Sequence, residues 1–151
     1  MLRDSQISSA WRFFWLSTSS RPTLVDALFL DLRKEALAQQ EVELLAMRIV
    51  ETIRRLNREE MPRRIDLRPI TRGAEFGLQE IRWNHRLGRK QILLRLFVAQ
   101  PSDAKQRIGI RFFAKRVLPD LAGTNHLQDL AIDDSIREYR DNHDSNLLEI
   151  S

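Results

Sequence analysis

The chain of 151 residues contains no cysteine, one tyrosine, three histidines, five glycines and five prolines. Without cysteine there is no disulfide staple, no thiolate metal centre and no thiol nucleophile. That absence suits a reducing compartment. The few glycines form no phosphate-cradling run, so a P-loop or dinucleotide fingerprint is excluded. His85, His126 and His143 are too scattered to read as a metal site. Apolar runs fall far short of the ~20 residues that span a bilayer. The first ten residues are polar and carry no apolar signal core. The expectation is a cytoplasmic protein without cofactor, metal or membrane partner.

What is present is basic charge, unevenly spread. Lys and Arg number 25 against 21 Asp and Glu, a formal charge of +4. Acids gather around Asp31–Glu60 and Asp133–Asp144. Between Arg82 and Arg116 lie Arg82, Arg86, Arg89, Lys90, Arg95, Lys105, Arg107, Arg111, Lys115 and Arg116, against the single acid Asp103. A block of one sign attracts phosphate over about a Debye length. The plainer reading of such a block is a solvated basic surface.

The length fits one domain, residues 1–151, with a core over about 11–142. A chain of this size buries roughly 70% of its unfolded surface, so no staple is required. The first ten residues and the tail after His143 read as flexible or surface-lying. Trp11–Leu16 is an aromatic strand, whose rings belong to an edge, a core or a partner patch. After Pro22, Leu24, Val25, Leu28, Phe29, Leu32 and Ala36 follow helical spacing. Val42, Leu45, Ile49, Ile53 and Leu56 mark a second helical stripe. Gln39–Gln40 either separates the two helices or lies within a single long one. Met61–Gly77 reads as a loop with a short extended piece near Ile65–Ile70. Leu78–His85, Lys90–Gln100 and Arg107–Val117 read as three strands joined by short turns, hence antiparallel. Leu127–Asn142 closes the core as a helix with Ile132, Ile136 and Tyr139 on one stripe. The predicted class is α+β, in the order β-α-α-β-β-β-α, with a short antiparallel sheet packed on the two N-terminal helices.

Side chains on a strand alternate between its faces. Ile81 and Trp83 then oppose Glu80, Arg82 and Asn84. Ile92, Leu94, Leu96 and Val98 oppose Leu93, Arg95 and Phe97. Ile108, Ile110, Phe112 and Ala114 oppose Arg107, Gly109, Arg111, Phe113 and Lys115. Each strand would bury one face and place a cation at the middle of the other. Cations with interleaved aromatics suit phosphate binding and base stacking in single-stranded RNA. The alternative is internal pairing of Arg82 and Arg95 with Glu80, Glu138 or Asp133.

Four segments carry a family likeness: GLQEIRW (Gly77–Trp83), QILLRLF (Gln91–Phe97), RFFAKR (Arg111–Arg116) and AIDDSIREY (Ala131–Tyr139). In order and spacing they resemble the RelE/ParE toxin superfamily, most of all its HigB-type, phage-derived branch. The likeness covers roughly residues 11–142. The stretch Val117–Asp129 departs from it, lacking the family's Lys/Thr/Pro run.

The resemblance implies a RelE-like fold and the toxin of a type II toxin–antitoxin system. Such a toxin is a metal-independent, ribosome-dependent mRNA endoribonuclease, neutralised by a small helix-turn-helix antitoxin. Its chemistry is attack of a ribose 2′-hydroxyl on the adjacent phosphate, which requires cations and a proton carrier. By motif, the resemblance assigns Arg82, Arg95 and Lys115 to the phosphate. Arg111 and Arg116 follow as RNA contacts, with Arg107 and Phe113 beside them. Tyr139 and His85 are candidate proton carriers, and His126 is a further one. Two other functions stay open on the same fold: a ParE-like inhibitor of DNA gyrase, and a non-catalytic RNA- or protein-binding module.

Overall fold

The aromatic run Arg12–Leu16 forms strand β1. In the computed structural model, which describes residues 11–58, 67–87, 90–101, 105–115, 121–142 and 146–150, this strand lies within the sheet. Helix α1 (Leu24–Asp31) starts where the Thr23 side chain accepts the Asp26 N–H, an N-cap. It ends in a single 3₁₀ turn, Arg33–Glu35, and at Ala36, whose φ of 54° is left-handed. That residue settles the Gln39–Gln40 question: the chain breaks there, and α2 (Gln39–Asn57) begins anew. The Glu41 carboxylate accepts the Ala38 N–H at 2.9 Å, fixing the new start. Val42, Leu45, Ile49, Ile53 and Leu56 are buried, as their spacing predicts. On α1 the stripe is narrower: Leu24, Ala27, Leu28 and Leu32 are buried, whereas Val25 and Phe29 are exposed.

The remaining elements are β2 (Leu67–Pro69), β3 (Gln79–Leu87), β4 (Lys90–Ala99), β5 (Gln106–Lys115), α3 (Leu121–Asn142) and β6 (Leu147–Ile150). Strand β2 is the extended piece expected near Ile65–Ile70. Helix α3 begins six residues before the expected Leu127. The tail after His143, read as flexible or surface-lying, supplies β6, which pairs antiparallel with β1. Among the described residues no helix is long and apolar enough to cross a membrane.

The fold is thus α+β, with three helices and one six-stranded sheet, ordered β2-β3-β4-β5-β1-β6, among the described residues. This corrects the predicted order, because β2 and β6 are added. It also corrects the purely antiparallel sheet, because β1 runs parallel to β5. A parallel pair needs a long crossover, and everything from α1 to β4 provides one.

The sheet is covered on both sides, not only by the N-terminal helices. On one side α1 and α2 pack over Phe13, Trp15, Leu67, Ile81, Ile92, Leu94, Leu96, Val98 and Phe112. On the other, Ile132 and Tyr139 of α3 pack with Phe14, Leu78, Phe97, Ala99, Ile108 and Ile110. Phe97 is therefore core and not a displayed ring. A β-bulge in β5 explains another departure. Phe97 pairs with Arg111 but Val98 pairs with Gly109, so Ile110 is an extra residue. Before the bulge the odd residues face α1 and α2; after it they face α3. Ile108 and Ile110 consequently lie under α3 while Phe112 lies under the N-terminal helices. Predicted parity, carried through without a break, put all three on one face.

Candidate nucleic-acid interface

The pairing of β3, β4 and β5 brings the three leading cations together. Arg82 and Arg95 are direct cross-strand partners, and Phe113 is opposite Arg95 on its other side. Lys115 is opposite Leu93, hence diagonal to Arg95. All four belong to the face that α3 partly covers. Like charges directly opposite on a sheet destabilise it, so the Arg82–Arg95 pair calls for a compensating anion.

Arg82 has one. Its Nε donates to Oε1 of the buried Glu80 at 2.7 Å, and its terminal nitrogen lies 2.5 Å from the same oxygen. Internal pairing with Glu80 is therefore realised for Arg82, whose side chain remains about one-third exposed. The other Glu80 oxygen receives a long contact, 3.4 Å, from Gln128 on α3.

Arg95 is different. It is 8% exposed, and among the described residues it makes one hydrogen bond, from a terminal nitrogen to the Leu94 carbonyl at 3.3 Å. Its Nε is buried without a partner, and no described carboxylate lies within salt-bridge distance. A guanidinium carries five donors, and leaving them unmet in the interior is costly. Burial pulls the Arg95 pKa below the ordinary guanidinium value. The positive charges of Arg82 and Arg68 act in the same direction, and Glu80 opposes them. The site is thus short of negative charge at one buried cation.

Arg68, on β2, escaped the sequence reading. It is opposite Glu80, and its neighbour Leu67 packs under α2, so Arg68 takes the α3 face. It is exposed and has no carboxylate partner among the described residues. The signal was available in the Leu67–Arg68 alternation but was masked by the surrounding prolines. The sequence presents Glu80 only as an ion-pair partner, and nothing in it distinguishes Gln128.

Several predicted site residues do not join this cluster. Arg107 precedes the bulge, so it turns to the opposite face and is only 1% exposed. There it donates to the Leu56 carbonyl at the end of α2 and lies 4.3 Å over the Trp11 ring. It caps a helix and cannot be an RNA contact. Arg111 is on the right face but is engaged by Asp134, at 2.9 Å, and by Glu138, both on α3. It fastens that helix to the sheet.

His85 has the parity of Ile81 and Trp83 and therefore faces α2, away from the cations. It is 2% exposed, and its Nδ1 is 2.8 Å from an Arg48 nitrogen. A guanidinium only donates, so Nδ1 accepts and the ring proton is on Nε2, which is buried without a partner. Burial, then the Arg48 charge, lowers its pKa. Tyr139 is core: it is buried and its ring centroid is 4.7 Å from that of Phe76. It lies eleven residues along α3 from Gln128, roughly 16 Å at helical rise, so it does not reach the cluster. His126 is on α3, not in a loop, and exposed. Arg116 lies outside the described residues. Comparison with family models, with curated proteins and with solved structures gave no match.

Proposed function

We propose that the α3 face of the sheet grips RNA, with a phosphate held between Arg95 and Arg82 and assisted by Lys115. The observation that carries this reading is Arg95, a buried guanidinium with no carboxylate partner among the described residues, beside a second arginine. A phosphate oxygen would accept its unmet donors and would separate the two like charges. Phe113, half-buried opposite Arg95, offers a ring for a base.

Together with the likeness of GLQEIRW, QILLRLF, RFFAKR and AIDDSIREY to RelE/ParE toxins, this supports a cytoplasmic type II toxin that cleaves mRNA on the ribosome. A small helix-turn-helix antitoxin is its proposed partner. In that reaction the 2′-hydroxyl gives its proton to water as its oxygen bonds to phosphorus, the P–O5′ bond breaks, the departing O5′ takes a proton from water, and Arg95 and Arg82 stabilise the charge that develops on the phosphoryl oxygens. Two of the proton carriers that the sequence offers are elsewhere, since His85 faces α2 and Tyr139 is in the core, which leaves the exposed His126 on α3. That separation favours a second reading, an RNA-binding module that does not cut.

Induction in bacterial cells, with growth and mRNA integrity followed together, tests both. The nuclease reading expects growth arrest with mRNA cleavage, abolished by Arg95→Ala and weakened by Lys115→Ala. Arrest with intact mRNA would point instead to gyrase. Intact growth, with Arg95-dependent RNA binding by the purified protein, would leave the non-cutting module. If Arg95→Ala leaves RNA binding unchanged, the interface itself is wrongly placed.

A further inference from the structure

The cations on this face do not form a knot around one point. Lys115 on β5, Arg95 on β4, Arg82 on β3 and Arg68 on β2 form a diagonal row across four neighbouring strands. With strands about 4.8 Å apart and ~3.4 Å rise per residue, the row spans on the order of 20 Å between its end Cα atoms. A single phosphate cannot bridge that length.

The outer end of the row is the less obvious part. Glu80 is the direct cross-strand partner of Arg68, but its carboxylate is committed to Arg82. Arg68 makes no ion pair among the described residues, and it projects from the short strand at the sheet's margin. Its charge is nonetheless close enough to weigh against the charged form of Arg95. One anion at Arg95 leaves Arg68 uncompensated, whereas a second anion along the same chain would satisfy it. Helix α3 borders the row through Gln128, and the Arg72 ion pairs to Asp129 and Asp133 hold that helix beside β2.

Resting on the RNA reading above, we infer that Arg68 holds a second phosphate, so that the ligand is a single-stranded RNA segment crossing β5 to β2 rather than a mononucleotide or a lone phosphate. Arg68 is then a length-determining contact at the end of the track, and Arg95 is its anchor.

The test uses the full chain and 2′-O-methyl oligouridylates of two, four and eight residues, which resist 2′-hydroxyl attack. Binding is followed by fluorescence anisotropy from 50 to 300 mM salt. The wild type should bind the tetramer and octamer several-fold more tightly than the dimer. Arg68→Ala should remove that gain, leave the dimer unchanged, and reduce the slope of log K against log salt by about 0.7, the value of one single-strand phosphate contact. Arg95→Ala should weaken all three lengths. If Arg95→Ala weakens binding while Arg68→Ala leaves slope and length dependence intact, the second-phosphate site is overturned and the anchor stands. If neither variant affects binding, the RNA interface falls with it. Arg68 is exposed and makes no ion pair with the described residues, so its variant should melt like the wild type.

Discussion

Replacing Arg95 with methionine should make the free protein more stable and RNA binding weaker. Methionine keeps most of the aliphatic length and flexes to fill the gap, while the guanidinium head disappears. What is removed is a cation that is 8% exposed, with an unpartnered Nε and an arginine opposite. A buried unsatisfied polar group costs about 1–3 kcal/mol, and a charged one more. Exchanging buried ions for well-packed apolar groups has a precedent of about 1–4 kcal/mol of stabilisation. A gain of about 1–3 kcal/mol is expected here. For a chain of this length each kcal/mol raises Tm by about 2–4 °C. Circular-dichroism melts in phosphate-free, low-salt buffer would measure it. RNA at a hundred times its Kd should stabilise the wild type by about 2.7 kcal/mol and the variant far less. A Tm several degrees below wild type for Arg95→Met would refute the reasoning, since it would show that the folded protein itself satisfies this guanidinium.

Two further outcomes follow from other parts of the molecule. His85 has a folded pKa lowered by burial and by Arg48, so the unfolded chain takes up a proton there first as pH drops. Its contribution to stability is present above the unfolded value of about 6.5 and is lost as pH falls from there toward the depressed folded value. Denaturant titrations from pH 7.5 to 5 should show this decline, and His85→Gln should flatten it; an unchanged slope in the variant would assign the dependence elsewhere. Gly77→Ala should destabilise by about 2 kcal/mol or more, because φ is +63° and an added Cβ would lie 2.3 Å from the Gln100 carbonyl oxygen. A variant within 0.5 kcal/mol of wild type, a bound typical of neutral surface changes, would contradict that.

Local pattern carried much of the fold. The α2 stripe and the alternation in β3 and β4 are read directly off the chain, since each burial is decided by neighbours a few residues away. The same alternation already sent His85 toward α2 with Ile81 and Trp83, and the Ile132–Ile136–Tyr139 stripe already placed the tyrosine inward. Other features were out of reach. The extra residue at Ile110 leaves no mark in an apolar run that reads equally well without it, so Arg107 and Arg111 shared a face on paper. Pairing of β6 with β1, and of β1 with β5, joins segments far apart in sequence. The cover provided by α3 was hinted at only by apolar residues on the supposed wet face, Leu93 and Phe97. Of the interface, Arg82, Arg95 and Lys115 are brought together as the alternation requires. Arg68 lay in a stretch whose prolines disguised a three-residue strand.

Strand β1 pairs with β5 only as far as Gly109, which leaves the main chain beyond the bulge facing outward on that flank. There Asp31, at the last turn of α1, accepts the Phe112 N–H at 2.9 Å and also the Arg21 guanidinium, itself tied to Glu138. A newcomer strand seeking the Phe112 amide would have to evict a carboxylate already locked to an arginine. This plug guards a frayed margin against edge-to-edge recruitment. The same lock ties α1 to α3, so unzipping that margin would loosen the cover on both sides of the sheet at once.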